Sequence, residues 1–381
     1  MLKRELEDLK QKGLFRTVLE RDGIPGRIIS IEGKKLINFS SNDYLGLAAH
    51  PAVIEGANRA AREYGAGAGA SRLLAGGSAI HKKLEEEIAR FITPNIGGRS
   101  AILFNSGYHS NLGAIRVLCP EDGAIFSDEL NHASIIDGCR LARAKTHIYR
   151  HCDPEHLKEL LKKSNAERKL IITESVFSMD GDSAPLRELF ELAEKYNALL
   201  YVDEAHAVGV FGEGKGLIRE LKISPEPFLM QMGTFSKALG SYGGFIAADE
   251  DVINYLQNTA RTFIFSTALP PAVVGASLAA LELLSSGAAP VKRLWENRAL
   301  LIKGLKELGL ETGNTVSPII PVFLDSVDEA LKISKSLYES GIYAPAIRPP
   351  TVKRPRLRIT VSASHGEEDI GQFIKALKGL L

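Results

Sequence analysis

Hydrophobic positions along this chain form two patterns, short continuous runs and the spacing of an amphipathic helix. From about residue 100 the two patterns alternate in a regular order. Short apolar runs predict strands, and after most of them apolar side chains recur with the spacing of a helix. The runs lie at residues 101–104, 123–126, 146–149, 169–172 and 198–202. Strands that alternate with helices predict an α/β fold with a mostly parallel sheet covered by helices. Ligands of such sheets bind at the carboxyl ends of the strands.

The two ends of the chain have different patterns. Residues 1 to about 20 are predicted to form an amphipathic helix, and a hairpin follows over residues 27–39. After about residue 271 two long helices precede a smaller unit that mixes short strands and helices. We therefore divide the chain into three parts: an N-terminal helix and hairpin segment (1–45), a large domain (46–285) and a small C-terminal domain (286–381).

Composition narrows the class of protein. The chain has 381 residues, and 47 basic side chains face 46 acidic ones, so charge favours neither nucleic acid nor an anionic membrane as a partner. The three cysteines lack the spacing of a metal site, which indicates reduced thiols and no metal. No apolar run is long enough to span a bilayer, and the N-terminus lacks a signal-peptide core. A cytoplasmic enzyme is expected.

The stretch with the clearest chemistry lies at residues 234–244, where Lys237 is predicted to occupy a turn between two strands. Desolvation at such a turn lowers the pKa of a lysine and frees its amine as a nucleophile. The hydroxyls of Thr234 and Ser236 are suited to a phosphate, and small residues after the lysine let a flat ring approach the backbone. This combination predicts a lysine that carries pyridoxal phosphate as a Schiff base. A solvated loop lysine explains this stretch equally well when it is taken alone.

Other strand ends carry the remaining groups that this cofactor needs. Asp203 is placed to pair with a pyridine nitrogen, residues 106–108 open a helix that can bind a phosphate, and His132 is suited to stack on the ring. Each has a structural alternative, since Asp203 is also a plausible helix N-cap, His132 a core histidine and Ser178 a turn residue. Their order along the chain, each near a strand end, favours the cofactor site.

In combination these motifs resemble the fold-type I pyridoxal-phosphate enzymes, and within them the α-oxoamine synthases. The similarity extends from about Arg16 to His365, nearly the whole chain. It is carried by the segments 38–47, 177–186, 203–206 and 234–237. The resemblance implies the fold-type I transferase architecture, with a mostly parallel seven-stranded sheet and a smaller α+β C-terminal domain. It also implies a homodimer with active sites at the interface, in which residues 265–271 reach the partner's phosphate.

The resemblance also implies roles for individual residues. Lys237 would attach the cofactor, Asp203 would pair with its pyridine nitrogen, and these two with His132 would be the catalytic residues. The residues implied to bind the cofactor are Gly107, Tyr108, Ser178, Asp203, His206, Thr234, Lys237 and Thr267. The residues implied to bind substrate are Arg16, Asn42, His132, Arg348 and Thr351.

Within the family, residues 346–352 are similar to those of the biotin-pathway members. This implies decarboxylative condensation of L-alanine with a pimeloyl group carried on coenzyme A or on a carrier protein. The loop after Val352 is about two residues shorter than is usual in the family, which bears on substrate choice. The alternatives are a glycine C-acetyltransferase or another α-oxoamine synthase, an aminotransferase on the same fold, and a cofactor-binding regulator without catalysis.

Overall fold

The computed structural model describes residues 2–12, 14–93 and 97–381. Helix α1 (Leu2–Gln11) buries none of its side chains, and residues 14–20 have no regular structure. The helix predicted to reach about residue 20 is therefore too long, because a short helix that packs against nothing gains little from further turns. Met1 and Gly13 of that prediction lie outside the described residues.

The predicted hairpin is confirmed. Its turn lies at Glu32 and Gly33, which both have positive φ angles, 51° and 76°. Paired positive φ values match the twist of the flanking strands. The first strands are β1 (Arg21–Asp22), β2 (Ile28–Ile31) and β3 (Lys34–Asn38), and two helices follow them, α2 (Pro51–Tyr64) and α3 (Ala79–Ile92).

The centre of the molecule is a seven-stranded sheet, as predicted. Its spatial order is β4-β10-β9-β8-β7-β5-β6; β10 runs antiparallel to both of its neighbours, and the pairs from β9 to β6 are parallel. The strands are β4 (Arg99–Phe104), β5 (Ala124–Asp128), β6 (Lys145–Tyr149), β7 (Lys169–Glu174), β8 (Leu199–Asp203), β9 (Leu229–Thr234) and β10 (Gly244–Asp249).

Helices cover both faces of this sheet. Alternate residues of one strand belong to different hydrophobic clusters, so Leu170 and Ile172 pack on one face and Ile171 on the other. Burial on both faces explains why the strands are apolar runs without alternation. The helices are α4 (Gly107–Leu118), α5 (Ala133–Ala142), α6 (Pro154–Lys163), α7 (Leu186–Lys195), α8 (Leu217–Glu220), α9 (Glu250–Thr259), α10 (Arg261–Ile264) and α11 (Pro271–Ser285).

The C-terminal residues form two further sheets. One has the order β11-β14-β13, and the other joins the N-terminal hairpin through β12, in which Ile342 pairs with Ile37 of β3. The hairpin thus shares a sheet with the C-terminal part, while the three-part division of the chain stays a prediction. The elements are α12 (Val291–Glu307), β11 (Ile319–Phe323), α13 (Val327–Glu339), β12 (Ile342–Tyr343), β13 (Ala346–Ile347), β14 (Arg356–Thr360) and α14 (Glu367–Lys378).

The helices of the described residues can be compared with a membrane span in length and hydropathy, which are properties of their sequences. None of these helices combines the length and the apolar character that a bilayer crossing requires.

Candidate active site

Lys237 lies in the turn between β9 and the antiparallel β10, beyond the carboxyl end of β9. Its Nζ is 2.9 Å from Nε2 of His206. Burial lowers the pKa of the Lys237 amine to about 8, against the opposing effect of the carboxylates of Asp203 and Glu174. A lysine with this pKa is partly neutral near pH 7, as a nucleophile or base must be.

His206 is 5% exposed and connects Lys237 with the N-terminal segment. Its Nδ1 lies 2.6 Å from the hydroxyl of Tyr44, which is itself fully buried. Burial, followed by the positive charges of Lys237 and Arg358, holds the pKa of His206 well below its usual range. His206 is therefore a neutral imidazole, which donates through one ring nitrogen and accepts through the other.

Asp203 ends β8 and is held by two donors. The backbone N–H of Ala205 donates to Oδ1 at 2.9 Å, and Nδ2 of Asn111 donates to Oδ2 at 2.9 Å. Asn111 is fixed in turn, because its Oδ1 accepts a hydrogen bond from the hydroxyl of Tyr201 at 2.9 Å. This network orients a buried carboxylate at the rim of the sheet.

His132 caps the start of α5, and its Nδ1 accepts from the backbone N–H of Ser134 at 3.2 Å. Burial lowers the pKa of His132, so its ring is neutral and suited to lie against another flat group. The ring of Tyr108 meets it edge-on, with centroids 6.3 Å apart. The Tyr108 hydroxyl donates to the carboxylate of Asp137.

The residues suited to hold a phosphate lie where α4 begins beside β9 and β10. Thr234 Oγ1 donates to the carbonyl of Gly243 at 2.6 Å and lies 2.7 Å from Oγ of Ser236. A Cβ at Gly244 would come within 2.7 Å of the backbone nitrogen of Gly107, the first residue of α4. Because Gly107 and Gly244 have no side chains, the N-terminus of α4 is open to an anion.

The donor set fits pyridoxal phosphate. It supplies an amine of lowered pKa, a buried carboxylate, a neutral histidine ring and a helix N-terminus with nearby hydroxyls. These groups come from different strand ends, as the sequence pattern predicted.

Arg358 was not among the site residues predicted from the sequence, although the structure brings its guanidinium into the site from β14. The side chain is buried, and Nε donates to the carbonyl of Ser178 at 2.6 Å. Nη1 donates to Oγ1 of Thr360 at 3.1 Å, and Nη2 donates to Oδ1 of Asn42 at 3.2 Å. These acceptors are neutral, so they leave the positive charge of Arg358 available to a carboxylate. The sequence does contain a signal for this residue, because Arg358 is a charged side chain between the apolar Leu357 and Ile359 of β14.

Three further residues of the site were missed. Tyr44 lies in the 38–47 motif but was not singled out, and Asn111 lies one turn after Gly107 on α4. Glu174 is buried opposite Asp203 in the sheet, and its Oε1 has no hydrogen-bond partner. Burial, with the charge of Asp203, raises the pKa of Glu174 well above its usual range.

Other predicted residues lie at the periphery. Arg16 is exposed in the irregular stretch after α1, and the exposed Thr351 donates its backbone N–H to the carbonyl of Arg348 at 3.1 Å. Thr267 is exposed, and its carbonyl accepts from Nδ2 of Asn105 at 3.0 Å. The roles of these residues stay predictions.

Comparisons with known proteins show which families and folds this chain is similar to. A profile of the family described as aminotransferase class I and II matches residues 34–377. The 8-amino-7-oxononanoate synthase of Thermoanaerobacter pseudethanolicus (strain ATCC 33223 / 39E) is 44% identical over 384 residues, covering 99% of this chain and 95% of that protein.

Two solved structures are also similar. A serine palmitoyltransferase from S. paucimobilis with a bound PLP–myriocin aldimine is 31% identical, with a TM-score of 0.91 over 100% of this chain and 96% of that one. The 8-amino-7-oxononanoate synthase of Francisella tularensis is 29% identical, with a TM-score of 0.77 over 90% of this chain and 97% of that one.

These matches confirm the resemblance drawn from the sequence motifs, including the fold-type I architecture and the cofactor. The chain therefore belongs to the aminotransferase class I and II family of pyridoxal-phosphate-dependent enzymes, and within it to the family of the 8-amino-7-oxononanoate synthases.

Proposed function

We propose that this protein condenses L-alanine with a pimeloyl thioester, releasing the thiol and carbon dioxide and forming 8-amino-7-oxononanoate. Synthases of that product are 44% and 45% identical to this chain over 99% of its length, which supports the choice of substrates. The observation that carries the proposal is the grouping of an amine of lowered pKa, a carboxylate and a buried arginine, Lys237, Asp203 and Arg358.

The cofactor would be held by the residues around the sheet rim. Asp203 would lie beside the pyridine nitrogen and stabilise its protonated form, and His132 would lie against the ring face. Thr234, the start of α4 at Gly107, and the partner's Thr267 segment would hold the phosphate. Tyr108 and Ser178 would border the cofactor, as the resemblance implies.

When bound, pyridoxal phosphate supplies an electron sink for the bonds that change at the α-carbon of the amino acid. Lys237 would take and return the α-proton at Nζ, since its pKa of about 8 suits a base near neutral pH. His206, 2.9 Å from that nitrogen, would orient the amine.

Two arginines are candidates for the carboxylate of the amino acid. Arg348 was predicted from the sequence, and Arg358 is supported by its burial and by its neutral hydrogen-bond partners. A buried guanidinium binds a carboxylate more strongly than an exposed one, because little water competes. Arg16, Asn42 and Thr351 would contact the substrates from the rim.

A homodimer is part of the proposal. Leu74 is 79% exposed and Phe265 is 69% exposed, and both lie close in sequence to the bridge between Ser71 and Thr267. Exposed apolar side chains grouped in this way are typical of a surface that another protein covers. A second copy of the chain would cover them and complete each site.

The substrate assignment is tested by mixing purified protein with substrate pairs and recording thiol release. We expect release with L-alanine and pimeloyl-CoA and little with glycine and acetyl-CoA or with L-serine and palmitoyl-CoA. Release only with one of the latter pairs would replace the proposal with a sister activity. If a keto acid regenerates the aldehyde form of the cofactor after treatment with an amino acid, the protein is an aminotransferase instead. Lys237→Ala is the inactive control and Lys292→Ala, on the exposed face of α12, the active one.

A further inference from the structure

A chain of hydrogen-bonding groups runs from β14 to the turn that holds Lys237. Nη2 of Arg358 donates to Oδ1 of Asn42 at 3.2 Å, and the hydroxyl of Tyr44 lies 3.5 Å from the same oxygen. The Tyr44 hydroxyl lies 2.6 Å from Nδ1 of His206, and Nε2 of His206 lies 2.9 Å from Nζ of Lys237. Tyr44 is 0% exposed and His206 is 5% exposed, so water does not compete for these bonds.

We propose that Tyr44 is a positioning residue that donates to Nδ1 of His206 and thereby keeps the imidazole proton on Nε2, facing Lys237. On the proposed function, the same Nε2–H would face the 3-oxygen of the bound cofactor. The tautomer of His206 that faces Lys237 thus depends on the hydroxyl of Tyr44, which contacts the other ring nitrogen.

The first argument is the direction of the bond between Tyr44 and His206. An N–H donor stays at about 2.7–3.2 Å from an oxygen acceptor, whereas hydroxyl donors form shorter bonds, about 2.5–3.0 Å when the acceptor is oxygen. The distance of 2.6 Å between the Tyr44 hydroxyl and Nδ1 of His206 is shorter than the N–H···O range, which favours the hydroxyl as the donor. Burial raises the pKa of Tyr44 to about 12, so the hydroxyl keeps the proton that it donates.

The second argument is that the reverse direction leaves the hydroxyl without a good acceptor. If Nδ1–H of His206 donated to Tyr44, the tyrosine proton would have to turn to Oδ1 of Asn42. That oxygen is 3.5 Å away and already accepts from Arg358 at 3.2 Å. As a donor, the Tyr44 hydroxyl would then make only this long, weak bond.

The tautomer has a consequence for Lys237. An Nε2–H group donates to the lone pair of the neutral amine, whereas a bare Nε2 would accept from the ammonium ion. The first arrangement stabilises the neutral amine and the second the charged one. Tyr44 therefore acts in the same direction as burial, against the carboxylates of Asp203 and Glu174. The titratable groups that act on His206 are Lys237, Arg358 and His132.

The direct test is solid-state NMR of the cofactor-free protein labelled with ¹⁵N-histidine, because the shifts of Nδ1 and Nε2 identify the tautomer. Nine histidines contribute, and a His206→Asn sample identifies the signals of this ring. We expect an Nε2–H tautomer in the wild type and a mixed or Nδ1–H tautomer in Tyr44→Phe. Tyr149→Phe is the matched control, since its hydroxyl is also buried and donates to the carbonyl of Ile172 at 3.4 Å.

A second measurement follows the uptake of pyridoxal phosphate by the cofactor-free protein as a function of pH. The neutral amine is the reacting form, so the rate should rise through a midpoint near the Lys237 pKa of about 8. Tyr44→Phe should move this midpoint to higher pH by about one unit, and Tyr149→Phe should not. An Nδ1–H tautomer in the wild type would overturn the proposal, as would unchanged signals and an unchanged midpoint in Tyr44→Phe. Neither measurement uses acyl substrate, so failure of the substrate assignment is seen separately.

Discussion

Replacement of Asp203 by asparagine tests the electrostatic design of the site with almost no change of shape. The carboxylate accepts from the backbone N–H of Ala205 and from Nδ2 of Asn111, both at 2.9 Å. An amide has one acceptor oxygen, so its NH₂ group must face one of these donors. If Asn111 turned over to accept instead, the hydroxyl of Tyr201 would lose the acceptor that it uses now.

At least one buried donor is therefore left unpaired, which costs about 1–3 kcal/mol. Removal of a charge beside Glu174 offsets part of this cost, because burial and Asp203 together raise the pKa of that neighbour. We expect the cofactor-free variant to remain folded and to lose about 1–2 kcal/mol of unfolding free energy. Turnover should fall about a thousandfold, since a preorganised charge at the reacting centre contributes about 4 kcal/mol to the barrier.

The assay pairs two measurements on the same preparations. Denaturant unfolding of the cofactor-free protein gives the stability change, and thiol release with L-alanine and pimeloyl-CoA gives kcat. Asp325→Asn, at an exposed position before α13, is the matched control and should leave both unchanged. Turnover of Asp203→Asn within about threefold of the wild type would refute the reasoning, because the carboxylate would then have no electrostatic role.

Three further predictions follow from single positions. Lys237→Ala should still bind pyridoxal phosphate but lose the visible absorbance of the lysine adduct and leave no borohydride-reducible label on this chain; an unchanged spectrum would contradict the assignment. Gly244→Ala places a Cβ 2.7 Å from the Gly107 nitrogen, so cofactor affinity should fall and unfolding free energy should drop by about 1–3 kcal/mol; an unchanged affinity in equilibrium dialysis would contradict this. Although burial opposes it, contact with two carboxylates raises the pKa of His151 to about 12. Its stabilising contribution is complete below about pH 6.5 and declines as pH rises towards 12, so His151→Gln should cost about 3 kcal/mol at pH 6 and less at pH 9 in denaturant unfolding.

The sequence alone was sufficient for the order of elements and for the chemistry of the strand ends. Strands buried on both faces must be apolar throughout, so their positions and the polar residues that end them are visible locally. Lys237, Asp203, His206 and His132 were found because each follows a strand that the pattern predicts. The N-terminal helix was overextended because amphipathic spacing does not report whether anything covers the apolar face.

Only the tertiary structure decided which distant residues complete the site. Tyr44 and Arg358 are more than 300 positions apart, yet both lie beside Oδ1 of Asn42 because the N-terminal segment and β14 approach the same rim. In the sequence, Asn111 is one of several polar residues on α4. The structure shows that its amide joins Asp203 to the hydroxyl of Tyr201. Burial, pKa values and hydrogen-bond direction depend on what surrounds a group in space, and that information is not local in the chain.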